Sequence, residues 1–199
     1  ATGVDFGILY EAERNSGNDA RRVGEEGLFE TLREKNTATL KQAKFEKLFS
    51  MDPHVYNTLK NEYPALNHGR YPVLHYTELL AQLLAEGRLP LTRRLSYTVT
   101  YHDPCYLGRY NQVYDAPRAV LRGLGAREEP KALLRNVKGL TLVPLNDTET
   151  CCGFGGAFSV IYPEVSKAMM DAKIQNVDAS GAEYVVALDP GCLMNIGGG

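Results

Sequence analysis

Tyr184-Val185-Val186-Ala187-Leu188-Asp189-Pro190-Gly191-Cys192 carries an apolar, β-branched run straight into Asp-Pro. The run reads as a buried strand, and Asp before Pro reads as an N-cap with proline in the first helical turn. A strand that turns directly into a helix is part of a βαβ unit. The stretch therefore predicts a parallel sheet covered by helices, with Cys192 in the loop where strand becomes helix.

The same unit occurs twice. Met51-Asp52-Pro53-His54-Val55 matches Leu188-Asp189-Pro190-Gly191-Cys192, and each follows an apolar strand. Upstream, Asn15-Ser16-Gly17 takes the place of Cys151-Cys152-Gly153; Val55 lies 40 positions after Asn15, and Cys192 lies 41 after Cys151. This self-similarity predicts an α/β chain of two pseudo-repeated lobes, with mainly parallel sheets flanked by helices. Residues 1–92 form the first, which has no cysteine and reads as incomplete at its N-terminus. Residues 93–199 form the second, which holds all four cysteines. The ends of the chain read as those of a piece of a longer polypeptide, or of a chain that a partner completes.

The intervening pattern alternates in the same way. Val4–Leu9, Glu46–Met51, Val73–Tyr76, Tyr97–His102, Leu140–Leu145 and Tyr184–Leu188 read as strands. Ala20–Ala43 (with Asp19 as N-cap), Pro53–Glu62, Thr77–Glu86, Ala116–Leu124 and Pro163–Ala179 read as helices, with Gly87, Gly125 and Gly181 as stops.

Composition narrows the function. The net charge is −2 and the basic residues are scattered, so nucleic acid is not expected as a partner. The 12 tyrosines are dispersed, which excludes a stacking platform for single strands. No apolar run approaches the ~20 residues of a membrane helix, and the N-terminus lacks a basic signal region. The chain is expected to be cytoplasmic, or docked on something larger. Adjacent cysteines rarely bridge one another and nothing here looks secreted, so metal binding or thiol chemistry is expected rather than disulfides.

Each cysteine falls in a strand-to-helix loop: Cys105 after Tyr97–His102, Cys151 and Cys152 after Leu140–Leu145, and Cys192 after Tyr184–Leu188. In a parallel sheet such loops emerge at one edge, so residues far apart in sequence meet. Several soft thiolates converging on one point suit an iron–sulfur cluster. Gly153, Gly155 and Gly156 allow close backbone approach and offer N–H groups, as do helix starts after Pro104 and Pro190. Structural zinc and inert buried thiols are the competing readings, though no Cys-x-x-Cys pair of the usual zinc kind occurs. His102 reads as a ligand or hydrogen-bond donor to the group, or as an ordinary strand-end histidine. His54, His68 and His75 read as structural. Gly153-x-Gly155-Gly156 lacks the spacing of a phosphate loop. Arg109 and Tyr110 read as screening the cluster or as surface positions.

Cys105, then Cys151-Cys152-Gly153, then Asp189-Pro190-Gly191-Cys192 resembles the cysteine-rich domain of the B-type heterodisulfide reductases and their relatives. These include the iron–sulfur proteins of glycolate oxidase and of lactate utilisation. Thr100–Asn111 is similar to the D-type heterodisulfide reductases. Cys151–Val160 and Gly191–Gly198 are similar to the lactate-utilisation protein. The resemblance implies one [4Fe–4S] cluster held by Cys105, Cys151, Cys152 and Cys192, with Gly153, His102 and Asp189 around it. It implies electron transfer from a flavin donor, a 2-hydroxyacid dehydrogenase or electron-transfer flavoprotein, to a quinone or disulfide acceptor. Its partners would be a flavoprotein and further iron–sulfur subunits, docked on a membrane quinone reductase at the inner face. Thiol or heterodisulfide reduction at the cluster, and a non-redox module with zinc, are the alternatives. Two departures from the family pattern matter. Asp189 stands where the first Cys of a Cys-x-x-Cys belongs, one thiolate short of the five that go with a noncubane cluster, so a cubane is expected. Asp52 repeats Asp189, which favours a turn or supporting role over ligation; second, the first lobe has lost its cysteines altogether, so one cluster rather than two is expected.

Overall fold

The computed structural model describes residues 2–63, 71–91, 95–124, 127–128 and 139–199. His68, Gly125 and the expected lobe boundary at 92/93 lie outside them. The chain divides into two compact units, Gly3–Tyr76 and Thr77–Gly199.

The first unit contains α1 (Asn18–Arg22), α2 (Glu26–Gln42), β1 (Leu48–Ser50), α3 (Pro53–Asn57) and β2 (Val73–His75); α3 runs on as a π-helical turn, Thr58–Glu62. β1 and β2 pair in parallel, Leu48 opposite Val73 and Ser50 opposite His75. Phe29, Leu40 and Tyr63 form its buried centre, with Phe45, Leu48, Leu59 and Tyr71 packed around them. At the start of α3 the Asp52 carboxylate accepts a hydrogen bond from Val55 N at 2.8 Å, and Pro53 fills the first turn, where a missing N–H costs nothing.

Two expectations fail in this unit. Val4–Leu9 is not a strand: Phe6 and Ile8 are 81% and 57% exposed, and no described strand pairs with the segment. Alternation without a partner strand has no ladder to join, and only Leu9 at its end packs against the Phe29, Leu40 and Tyr63 cluster. The single helix expected over Ala20–Ala43 is two, because Gly24 adopts φ 87°, a left-handed turn that ends α1. Gly17, also left-handed at φ 85°, starts α1, and Asp19 lies inside it.

The second unit is α/β with one wholly parallel sheet. Its strands are β3 (Thr98–Tyr101), β4 (Arg127–Glu128), β5 (Thr141–Leu142) and β6 (Tyr184–Val186), in spatial order β4-β5-β3-β6. Val99 in β3 sits opposite both Leu142 and Tyr184. The helices are α4 (Tyr76–Ala85, which enters this unit at Thr77), α5 (Asp115–Gly123), α6 (Ala157–Ile161), α7 (Pro163–Ser180) and α8 (Pro190–Gly197). Gly181, at φ 70°, closes α7. Val99, Tyr101, Leu121, Leu140 and Leu142 make the core, with Leu124, Val186 and Leu188 against it. β3, β5 and β6 all run toward the same edge, and each is followed by a cysteine-bearing segment. After β3 the chain makes consecutive turns rather than the helix expected behind Pro104; Gly108 N returns to Pro104 O at 2.9 Å, and α5 begins only at Asp115. Among the described residues no helix is long and apolar enough to cross a membrane.

Candidate metal centre

β6 leads into α8, and Asp189 caps that helix: its carboxylate accepts from Cys192 N at 3.0 Å. This repeats the Asp52–Val55 bond of the first unit and places the Cys192 thiol, 5% exposed, on the first turn. Cys151 and Cys152 come from the loop after β5. Gly153 turns that loop at φ 86°, and a Cβ there would lie 2.4 Å from Ser166 O. Only glycine lets the loop lie so close on α7.

Three helix side chains pin the loop. Ser166 Oγ donates to Gly153 O at 2.8 Å, Asn195 Nδ2 donates to Cys152 O at 2.7 Å, and Lys173 Nζ donates to Asp147 O and Thr148 O at 3.1 and 3.3 Å. Phe154 packs its ring over Gly191, where a Cβ would meet it at 2.3 Å. Cys105 arrives from the turns after β3, which Arg109 ties to the Cys151 loop through a hydrogen bond to Glu149 O.

The four sulfurs form one contiguous set. Cys152 Sγ donates to Cys192 Sγ at 2.9 Å. Gly153 N donates to Cys151 Sγ at 3.4 Å, and Cys105 lies against the same sulfur. Hydrogen bonding from its cysteine neighbours lowers the pKa of Cys151, and Gly153 N–H and His102 act in the same direction. The same contacts, with burial, push Cys105 and Cys152 up.

His102 completes the constellation. It is 1% exposed at the end of β3, and its backbone N–H continues the ladder to Val186 O at 2.9 Å. Burial lowers its pKa to about 4, and the Lys173 charge acts in the same direction. Both ring nitrogens are buried with no hydrogen-bond partner among the described residues. A ligand atom of His102 and the sulfurs of Cys152 and Cys192 all lie within 4.8 Å of one another. Leaving one such atom unsatisfied costs about 1–3 kcal/mol, so an imidazole aimed between thiols signals a group that belongs there. Soft sulfur with one imidazole nearby suits iron in a cluster, or zinc. The donor set fits an iron–sulfur group.

Sequence reading located Cys105, Cys151, Cys152, Cys192, His102, Gly153 and Asp189, and the structure brings all seven to one sheet edge. It missed Ser166, Lys173 and Asn195. The signal for two of them was helical spacing: Ser166, Met169 and Lys173 share one face of α7, and Met169 touches the Gly153 position.

Residues 99–197 match the model of the cysteine-rich domain family named CCG, and through this segment the chain belongs to that family. The whole chain is 40% identical to a probable membrane-anchored ferredoxin of Chromohalobacter salexigens, covering 28% of it. It is 37% identical to the probable iron-sulfur-binding oxidoreductase FadF of Bacillus subtilis, with 99% of this chain and 26% of that protein aligned. It is 36% identical to the EtfAB:quinone oxidoreductase of Syntrophomonas wolfei, with 99% of this chain and 27% of that protein aligned. The chain thus spans about a quarter of the length of these curated relatives.

Proposed function

We propose that this chain is the cluster-bearing part of an iron–sulfur oxidoreductase and that it passes single electrons. Cys105, Cys151, Cys152 and Cys192 would hold one [4Fe–4S] cluster. Gly153 N–H would donate to a thiolate, His102 would donate to or ligate the group, and Asp189 would cap the helix under Cys192. The observation that carries this reading is the unbroken sulfur set with a buried, unpartnered imidazole against it. The cubane is favoured because the chain has four cysteines, and where a fifth thiolate would stand Asp189 caps α8 through Cys192 N. When bound, such a cluster supplies one-electron redox capacity; the protein supplies placement, burial and hydrogen bonds to sulfur.

The names of the relatives support a chain of partners. An electron-transfer flavoprotein, or another flavin donor such as a 2-hydroxyacid dehydrogenase, would lie on one side. A quinone site carried by other parts of a longer protein or complex would lie on the other, at the inner face of a membrane. In this reading the Gly3–Tyr76 unit is a repeat of the same scaffold without a cluster.

The test is anaerobic purification followed by iron, sulfide and EPR analysis. About four irons and four sulfides per chain support the proposal. Zinc without sulfide overturns it and leaves a structural site at His102, Cys152 and Cys192.

A further inference from the structure

Lys173 is wholly buried, at 0% exposure, on the face of α7 that carries Ser166 and Met169. Ser166 bonds to Gly153 O, and Met169 packs at the Gly153 position. That face therefore lies directly behind the Cys-Cys-Gly loop. The ammonium donates to two backbone carbonyls, Asp147 O and Thr148 O, which precede Cys151 by four and three residues. No carboxylate pairs with it among the described residues.

A lysine this deep is almost never found without a counter-ion, because an isolated buried ammonium is too costly to keep. Two carbonyl dipoles satisfy two of its three donors but do not neutralise its charge. Of the negative groups that act on it, Asp103 is already held by Arg118 and Asp147 is exposed, which leaves the cysteine sulfurs of the loop it is tied to. Burial lowers the Lys173 pKa, opposed by Cys152 and Cys151 first and by Asp103 and Asp147 after them.

We propose that Lys173 is the fixed counter-charge of the metal centre: it favours the reduced, more negative form of the bound cluster and so raises its reduction potential. This rests on the iron–sulfur reading above. Reduction adds one electron, supplied in the test by dithionite, with no bond made or broken, and the centre gains one negative charge. A buried cation stabilises that added charge more than the oxidised state.

Two neutral variants separate charge from tether. Lys173→Met keeps the length of the side chain, whereas Lys173→Gln also keeps a donor for the Asp147 and Thr148 carbonyls. Each is purified anaerobically as the whole chain and titrated with dithionite under EPR. Both are expected to shift the reduction equilibrium at least tenfold toward the oxidised form, a fall of about 59 mV for a one-electron couple. Loss of iron from Lys173→Gln as well as from Lys173→Met, each with wild-type far-UV circular dichroism, supports the same conclusion, since Lys173→Gln keeps the donor and loses only the charge. Potentials unchanged in both variants overturn it. So does wild-type behaviour of Lys173→Gln beside a shifted Lys173→Met, which would make the lysine a tether only. Unfolding of both variants in the metal-free state also overturns it, because removing an unbalanced cation from a metal-free core is not expected to unfold the chain. If wild type itself binds neither iron nor sulfide, the cluster reading fails, and that outcome is distinct from all of these.

Discussion

Arg118 holds both carboxylate oxygens of Asp103, at 2.9 and 2.6 Å, two residues before Cys105. The Asp103 side chain is only 4% exposed, and the Arg118 guanidinium also lies 5.4 Å from the centre of the Tyr101 ring. The pair clamps the segment between β3 and Cys105 onto α5. Removing one member of a buried pair leaves the other charge without a partner. Arg118→Leu is expected to lose about 3 kcal/mol in urea unfolding, the lower end for buried pairs because Arg118 keeps some contact with water. The double variant Arg118→Leu/Asp103→Asn is expected to recover part of that loss; equal stability of single and double variants would show that the carboxylate does not need its partner.

Gly153 is the tightest point of the Cys-Cys-Gly loop. An alanine there meets the backbone oxygen of Ser166 and must hold a left-handed φ of 86°. Gly153→Ala is expected to destabilise the chain by roughly 1–3 kcal/mol. It should also lower iron content per chain, since Cys152 is displaced with the loop. Normal stability together with normal iron content would contradict the packing described here.

Asp52 and Asp189 offer a matched comparison. Each accepts from the backbone N–H three residues on, Val55 at 2.8 Å and Cys192 at 3.0 Å. Alanine at either position is expected to cost about 1 kcal/mol by loss of the N-cap. If Asp189 only caps, Asp189→Ala retains four irons after reconstitution. Loss of one iron per cluster, with an EPR spectrum of a three-iron species, would make it a ligand.

Cys152 and Cys192, with their sulfurs 2.9 Å apart and both residues buried, are the pair best placed to oxidise when metal is absent. Two thiols would give two electrons and two protons to oxygen and form one disulfide. Peptide mapping of metal-free protein exposed to air is expected to show Cys152 linked to Cys192 ahead of any other pair. A dominant Cys105–Cys151 link would count against this order.

His75 is expected to make the Gly3–Tyr76 unit sensitive to acid. It is wholly buried at the end of β2, between the rings of Tyr56 and Tyr76. Burial lowers its pKa to about 4, opposed by a hydrogen bond to the Met51 backbone. The unfolded chain takes up this proton near pH 6.5, so the folded state keeps its full stability above that value. Stability then falls as pH drops from 6.5 toward 4, by up to about 3 kcal/mol. In denaturant titrations across this range, His75→Gln is expected to reduce that slope, leaving the part due to His102. An unchanged slope would assign the acid sensitivity to other groups.

Much of the second unit was legible because its signals are local and agree with one another. Asp-Pro after a β-branched run marks two of the loops, Asp103-Pro104 and Asp189-Pro190, and the segments that follow three strands of one parallel sheet must share an edge. The thiols at Cys105, Cys151, Cys152 and Cys192 met in space for that reason alone. Val4–Leu9 misled because alternation reports a preference for a pleated surface and not the presence of a neighbouring strand. Gly24 was overlooked because glycine inside a helical pattern is often tolerated, and only the backbone angle shows that it breaks one. Lys173 shares a helical face with Ser166 and Met169, a spacing the sequence carries, yet its role was overlooked for a different reason. A lysine on a helix is read as solvated, and nothing in the sequence says that α7 turns this face toward the Cys-Cys-Gly loop.

The Gly3–Tyr76 unit builds an aspartate cap, a proline first turn and paired parallel strands without a single cysteine. In that unit neither the cap nor the strand pairing draws on a thiol or a metal ligand. Small domains whose folding energy comes from metal collapse to unfolded chains under iron starvation and fall to proteases. A unit whose strand-to-helix turn is held by an aspartate cap and a proline has its fold written in local backbone bonds rather than in a metal.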